Sequence, residues 1–124
     1  TIIMDFNVIR EYIVNADIVG ENVFLFEKPL QIECTDYIIY TFKEITGGAV
    51  KQYQLDIRVV GKDKLIVLSN KQKIIDLLDI YNNFCKIQDD ETVIRSIKMI
   101  NGGGMAFDDE SNEYNAVAYF NVII

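Results

Sequence analysis

The residues best suited to chemistry lie close together near the end of the 124-residue chain, in the stretch MINGGGMAFDDESNEYN. Glycines occupy positions 102–104, and four acids follow them: Asp108, Asp109, Glu110 and Glu113. Glycine-rich backbone can hold a phosphate where it leads into a helix. Carboxylate oxygens are the ligands that Ca²⁺ and Mg²⁺ prefer. A third interpretation is a mobile arm between two strands.

The residues around this stretch favour the arm. The glycines follow a strand pattern and run into acids, which repel phosphate, and no helix pattern follows them. The EF-hand spacing is absent, so the acids are interpreted as a solvated loop. We therefore predict no metal and no cofactor. We expect residues 101–113 to form a flexible hairpin tip that becomes ordered against a partner.

The rest of the composition argues against an enzyme. The chain contains no histidine, which removes the commonest general base and the usual zinc ligand. Its two cysteines, Cys34 and Cys85, are far apart and are predicted to be buried and reduced. No spacing of carboxylates singles out an acid/base pair. We predict no catalytic residue.

Net charge and hydropathy argue against further classes of protein. Nineteen acids against twelve bases give a net charge of −7, which disfavours a DNA- or RNA-binding module. Half of the residues are apolar, enough for one core, so we predict a single domain over residues 1–124. No apolar run reaches the ~18 residues of a membrane helix. The N-terminal stretch lacks signal-peptide features, which predicts a cytoplasmic protein without a membrane segment.

Two segments that flank the candidate residues alternate with a period of two, which is typical of strands. In residues 51–60, polar residues alternate with a predicted buried set: Tyr53, Leu55, Ile57 and Val59. In residues 112–124, the apolar positions with this period are Tyr114, Ala116, Ala118, Phe120, Val122 and Ile124.

Other segments complete an αβββαββ order. Residues 5–17 fit a helix that begins at Asp5 and has an apolar stripe of Phe6, Ile9, Ile13 and Ala16. Strand compositions cover residues 22–27, 36–45 and 92–100, and glycines in 46–50 predict a hairpin. This order predicts an α+β fold, with a largely antiparallel five-stranded sheet and two helices on one face.

The second helix has two possible starts. With Asp63 as N-cap, it carries a helical stripe of Leu65, Leu68, Gln72, Ile75 and Leu78, flanked by Ile74 and Leu77. With Ser69 as N-cap, the residues LIVL would instead be extended. The continuity of the stripe favours the longer helix.

A family resemblance rests on these same elements. The stretch VKQYQLDIRVVGKDKLIVLSNKQKIIDLLD joins an amphipathic strand, a GKD turn and a helix that ends in LLD. The hairpin YIIYTFKEITGGAVKQYQLDI precedes it, and a strand pair closes the chain. Over most of residues 5–124, this order resembles the tail terminator proteins of long-tailed bacteriophages, also called tail completion or minor capsid proteins.

The resemblance implies a structural protein of the virion tail, made in the bacterial host cytoplasm, with no enzymatic activity and no cofactor. Proteins of this family form a hexameric ring that caps the tail tube, stops its polymerisation and joins the tail to the head connector. The implied partners are therefore other copies of the chain, the tail tube protein and the head-connector protein, while DNA passes through the ring without specific binding. The implied ring contacts are Gln52, Gln54, Asp56, Arg58, Gly102, Gly103, Gly104, Asp108, Asp109 and Glu110.

Two questions stay open from the residues alone. Asp56 and Arg58, two apart on one strand face, either pair across a subunit boundary or form an ordinary exposed pattern. The alternative function is a small acidic binding or inhibitor protein that masks a basic partner. The oligomeric mass distinguishes a ring from such a monomer or dimer.

Overall fold

The computed structural model describes residues 7–46, 51–79, 87–88, 93–94 and 96–123. Its helices are α1 (Asn7–Asn15) and α2 (Lys64–Leu78). Its strands are β1 (Val23–Leu25), β2 (Tyr37–Thr46), β3 (Gln52–Gly61), β4 (Ile87–Gln88), β5 (Val93–Ile94), β6 (Ser96–Asn101), β7 (Met105–Asp108) and β8 (Glu113–Ile123). The main sheet has the order β1-β2-β3-β8-β6, and β7 pairs with β8 beside β6. Only the β1–β2 pair is parallel in this sheet.

The α+β class is confirmed, but the prediction of five strands was wrong. The main sheet has six strands, and β4 and β5 form a separate two-stranded sheet. Two local features explain the difference. The glycine segment divides the last edge strand into β6 and β7, and the predicted strand 92–100 divides between β5 and β6.

The core lies between one face of the sheet and the two helices. The predicted buried residues of β3 and β8 are confirmed: Tyr53, Leu55, Ile57, Val59, Ala116, Ala118, Phe120 and Val122. These two strands are central neighbours and pair over ten residues, so their apolar sets lie side by side. From α1, Val8, Ile9 and Ile13 join the same cluster.

Helix α2 begins where the longer alternative predicted. Asp63 is its N-cap and accepts hydrogen bonds from the backbone N–H groups of Leu65 (2.9 Å) and Ile66 (3.4 Å). At the other end, the Asp79 Oδ1 accepts from the Met99 N–H at 3.1 Å, which ties the helix to β6. Gly61 precedes the helix, and a Cβ there would lie 2.8 Å from the Val67 Cγ2.

The apolar stripe predicted for α2 was wrong in its first half and correct near its end, where the flanking residue Ile74 is also buried. The residues that face the sheet are Val67, Asn70, Ile74 and Leu78, and Ile75 is half-buried. Leu65, Leu68 and Gln72 are exposed. Two overlapping apolar stripes run along this helix, and helical periodicity alone does not decide which one docks.

The first helix is tied to the sheet edge through Arg10. Its Nε donates to the Val23 carbonyl at 2.9 Å, and its Nη2 donates to the Glu21 carbonyl at 3.2 Å. The strand predicted over 22–27 is shorter, because Phe26 has a φ of 67° and leaves the extended conformation. Ala16 lies in an exposed turn after α1 rather than in the core.

Several sequence predictions fall on residues outside the described ranges. They are the N-cap role of Asp5, the burial of Phe6, Cys85 and Ile124, and the hairpin residues 47–50.

Candidate functional site

The predicted contact residues of β3 share the face of the sheet that points away from the helices. Gln52, Gln54, Asp56 and Arg58 alternate with the buried set, and Arg58 is exposed. In the register of the sheet, Asp56 lies between Thr41 and Tyr119, and Arg58 lies between Ile39 and Val117. We call this the outer face.

A shallow hollow of about 230 Å³ lies at the centre of the outer face. Its lining is Ile39, Thr41, Asp56, Arg58, Val117 and Tyr119. The Gln54 Nε2 donates to the Asp56 Oδ1 at 2.8 Å, which fixes that carboxylate. The hollow therefore combines one carboxylate, one guanidinium and apolar walls, a combination that suits an amphipathic protein segment better than a reacting substrate.

One end of the outer face holds a second, smaller buried cluster. Tyr37, Ile39 and Val60 are buried there, with Phe24 and Cys34 packed against them. The Tyr37 hydroxyl donates to the Glu113 Oε1 at 3.4 Å. Burial, and then the negative charge of Glu113, raise the pKa of Tyr37 to about 12.

Cys34 is half-buried in this same cluster and is a free thiol. Burial is the main cause that raises the pKa of its thiol. A raised pKa lowers the thiolate fraction, so the site is not that of an activated nucleophile.

The glycine segment is not a hairpin tip, which corrects the prediction for residues 101–113. Strands β6 and β7 lie one after the other along the same side of β8, with the glycines between them. Asn101 pairs with Tyr119, and Met105 pairs with Ala116. Residues 102–104 of the edge strand therefore lie opposite only two residues of β8, 117 and 118. This is a β-bulge, which bends the edge strand.

Gly103 explains why glycine is needed in this bulge. Its φ is 61°, and a Cβ on it would collide with the Val117 carbonyl of β8. The Gly103 N–H donates to the Asn101 Oδ1 at 2.7 Å, and the Val117 N–H donates to the Gly104 carbonyl at 3.0 Å. The sequence showed the glycines, but their partner Val117 is distant in the chain, so no local signal revealed the bulge.

The acids form the true hairpin turn between β7 and β8. The turn spans residues 109–112, and Asn112 has a φ of 59°. The Asp108 Oδ1 accepts from the Glu110 N–H at 3.0 Å. This backbone hydrogen bond, and then the Ser111 hydroxyl, lower the pKa of Asp108. The side chains of residues 108–112 are exposed, and Ser111 and Glu113 line a surface pocket together with Lys28 and Lys62.

The structure brings some of the predicted residues together and keeps others apart. Val117 pairs with Arg58 on one side and contacts Gly103 on the other, so the bulge and the outer face are adjacent. Glu113 lies four residues from Val117 along β8, which is about 13 Å. Among the described residues, no acid of the turn forms an ion pair with Arg58 of its own chain.

An exposed apolar surface on α2 was not foreseen. Leu65 is 74% exposed, Ile66 45% and Leu68 40%. Lys62, Lys64 and Lys73 are exposed nearby along the chain. The sequence analysis did identify Leu65 and Leu68 as apolar residues of one helical stripe, but it predicted that this stripe packs in the core.

The described residues hold no group of three or more His, Cys, Asp or Glu side chains that could bind a metal ion. Among the helices of the described ranges, none is long and apolar enough to span a membrane.

Comparison with known proteins gives a likeness in fold but none in sequence. No protein-family model matches the chain, and no curated protein matches its sequence. Among solved structures, the fold is similar to that of a chain in the virion of a native gene transfer agent particle. The TM-score is 0.63 at 12% sequence identity, over 95% of this chain and 89% of that chain. At this identity the likeness shows a shared fold.

Proposed function

We propose that this chain is a structural protein of a phage-like virion and acts as a tail terminator. In this role, copies of the chain form a ring that caps the tail tube, stops its growth and joins the tail to the head connector. The observation that carries the proposal is the fold likeness to a virion chain, which extends over nearly the whole length of both chains. It agrees with the independent family resemblance of the strand–turn–helix sequence.

A structural role fits the chemistry of the surface better than catalysis does. The chain has no histidine, and its central hollow is shallow and lined by apolar and polar side chains in about equal share, with one carboxylate and one guanidinium among them. The thiol of Cys34 has a raised pKa and lies outside that hollow. These features favour protein contact over turnover.

Two surfaces are proposed to form the ring contact. The acidic turn at residues 108–110 is the donor, and the outer face around Gln52, Gln54, Asp56 and Arg58 is the acceptor. Within one chain, no acid of the described turn forms an ion pair with Arg58. A head-to-tail contact that joins two different surfaces generates a closed ring when the rotation closes. Residues 105–108 are paired with β8, so the donor reaches a neighbour with the turn 109–112 and with the exposed carboxylate of Asp108 beside it.

The charge of the chain fits a ring through which DNA passes. A net charge of −7 repels the phosphate backbone, so DNA would not adhere to the lumen. The exposed apolar side chains of α2 offer a separate surface for the tail tube or connector protein, because apolar patches on a protein surface commonly mark interaction sites.

Native mass spectrometry over a range of protein concentrations tests the ring contact. We expect a six-fold species in the unmodified chain. Its loss is expected in Arg58→Ala and in the triple variant Asp108→Asn, Asp109→Asn, Glu110→Gln. The matched control neutralises three other exposed acids: Glu27→Gln, Glu33→Gln and Glu44→Gln. It has the same net charge as the triple variant and should still form the ring.

The outcome also separates the two functions considered. A monomer or dimer at every concentration, with and without tail tubes, would contradict the ring and favour an acidic inhibitor. Equal loss of the ring in the triple variant and in its control would show that net charge, rather than the turn, controls assembly.

A further inference from the structure

Asn101 is the one asparagine of the chain that precedes a glycine, and it lies exposed at the bulged edge of the sheet. Its Oδ1 accepts a hydrogen bond from the Gly103 N–H at 2.7 Å. This contact, an Asx-type turn, folds the side chain back over the peptide between Asn101 and Gly102. The side-chain amide carbon Cγ is thereby held beside the Gly102 backbone nitrogen.

The Gly102 nitrogen is free to act as a nucleophile. Within the described part of the chain, its N–H donates no hydrogen bond. A Cβ built on Gly102 would meet nothing within 4 Å, so this side of the peptide is open to solvent. An amide nitrogen that loses its proton to solvent can attack a nearby carbonyl carbon.

The Gly103 N–H makes the Asn101 side-chain carbon Cγ more electrophilic. Its hydrogen bond withdraws electron density from the Asn101 amide and stabilises the negative charge that develops on Oδ1 during attack, as a donor in an oxyanion hole does. The direction of this N–H is fixed by the sheet, because Gly103 has a positive φ and contacts the Val117 carbonyl. The bulge therefore presents the donor before the reaction begins.

We propose that Asn101 is a site of spontaneous deamidation and isoaspartate formation. The Gly102 nitrogen loses its proton to solvent and bonds to Cγ, the bond from Cγ to the side-chain nitrogen breaks, and ammonia leaves with a proton from solvent. A five-membered succinimide results. Water then adds to either ring carbonyl, which gives an aspartyl or an isoaspartyl residue at position 101. The net reaction consumes one water and releases one ammonia, with no oxidant and no cofactor.

The rest of the chain supplies matched controls. Asn112 is exposed in the neighbouring turn but precedes Glu113, whose side chain hinders the attacking nitrogen. Asn115 and Asn121 lie in β8, which is paired on both sides at these positions. We therefore expect position 101 to react before these three.

The isoaspartyl product has a structural consequence that the aspartyl product lacks. It adds one carbon atom to the main chain at the start of the bulge, which displaces Gly103 from Val117 and weakens the pairing of β7 with β8. The aspartyl product adds one negative charge and leaves the main chain unchanged. The proposal is independent of the tail terminator function.

Incubation of the folded chain in mildly alkaline buffer made with H₂¹⁸O tests the proposal. Peptide mapping by mass spectrometry, with electron-transfer fragmentation, reports ¹⁸O at each asparagine and distinguishes isoaspartate from aspartate. We expect label at position 101 first. We expect Gly102→Ala, which places its Cβ in open space and should not disturb the fold, to slow labelling by about tenfold or more.

The same chain denatured in urea measures the contribution of the fold. If the bulge promotes the reaction, folded protein labels at position 101 at least as fast as denatured protein. Labelling only in urea, earlier labelling of Asn112, or an unchanged rate in Gly102→Ala would each overturn the proposal.

Discussion

The two faces of strand β3 differ sharply, although their side chains are one residue apart. On the inner face, Leu55 and Ile57 are fully buried under the helices. On the outer face, Asp56 is only half-buried and Arg58 is exposed. Burial of the inner set supplies the free energy that drives folding, since apolar area removed from water is the dominant favourable term. The residues of the outer face do not contribute to this burial, so their side chains are available for contact with a partner protein.

The outer face itself has two unlike ends. At one end, Tyr37, Ile39 and Val60 form a small second core, against which Phe24 and Cys34 pack. Around Gln54 and Asp56 nothing in the described residues closes it to the same extent. The open end is thus the part of the sheet where contact with another subunit would bury new surface.

The largest expected effect is on the inner face. Leu55→Ala or Phe120→Ala should lower the free energy of unfolding by about 2–5 kcal/mol, because each leaves a cavity in the core. Urea denaturation measures this. Gln54→Ala, on the opposite face of the same strand, is the control and should change stability by less than about 0.5 kcal/mol. Equal effects of Leu55→Ala and Gln54→Ala would refute the contrast between the faces.

The next effect concerns the bulge that borders the outer face. Gly103→Ala should cost about 1–3 kcal/mol, because alanine is strained at this positive φ and its Cβ meets the Val117 carbonyl. Gly102→Ala places the same methyl group in open space and should be close to neutral. Thermal unfolding of the two variants makes the comparison. Equal melting temperatures would show that the bulge does not impose this geometry.

The closed end of the outer face should show a dependence on alkaline pH. The pKa of Tyr37 is raised from 10.0 to about 12, so the neutral phenol is favoured in the folded state. Its contribution to stability is therefore fully present below pH 10 and is lost as the pH rises from 10 through 12. After allowance for screening, we expect about 1–2 kcal/mol. The difference in stability between the unmodified chain and Tyr37→Phe, followed with pH, isolates this group. A difference that stays constant from pH 9 to pH 12 would contradict it.

The smallest effect lies outside the sheet. Asp63→Ala removes the N-cap of α2 and should cost about 1 kcal/mol, since two backbone N–H groups lose their acceptor. Asp63→Asn keeps an acceptor oxygen and should restore most of the loss. If the asparagine variant is as unstable as the alanine variant, the carboxylate charge matters more than the cap.

Much of the central fold could be predicted from the sequence, because its causes are local. Alternation in β3 and β8 identified the buried set, and Asp63 identified the start of α2. The docking face of α2 could not be predicted, since Leu65 and Val67 lie on competing apolar stripes and only contact with the sheet selects one. The bulge depends on Val117, a residue 14 positions after Gly103 in the sequence, so the pattern of neighbouring residues does not predict it either.

The candidate contact residues were predicted as a set, but their arrangement was not. The period of two placed Gln52, Gln54, Asp56 and Arg58 on one face, and the structure confirms that placement. The position of the acidic turn at the end of β7 follows from the pairing of β7 with β8, which no sequence pattern specified. Whether these surfaces meet between subunits stays a prediction.

The growth of tail tubes in the presence of this chain tests the proposed function most directly. A tail tube protein encoded in the same genome would be polymerised with increasing amounts of the chain, and tube lengths would be measured by electron microscopy. We predict shorter tubes with a ring at one end, and no shortening by the triple variant of residues 108–110. Tube lengths that do not change at any ratio of the unmodified chain would contradict the account.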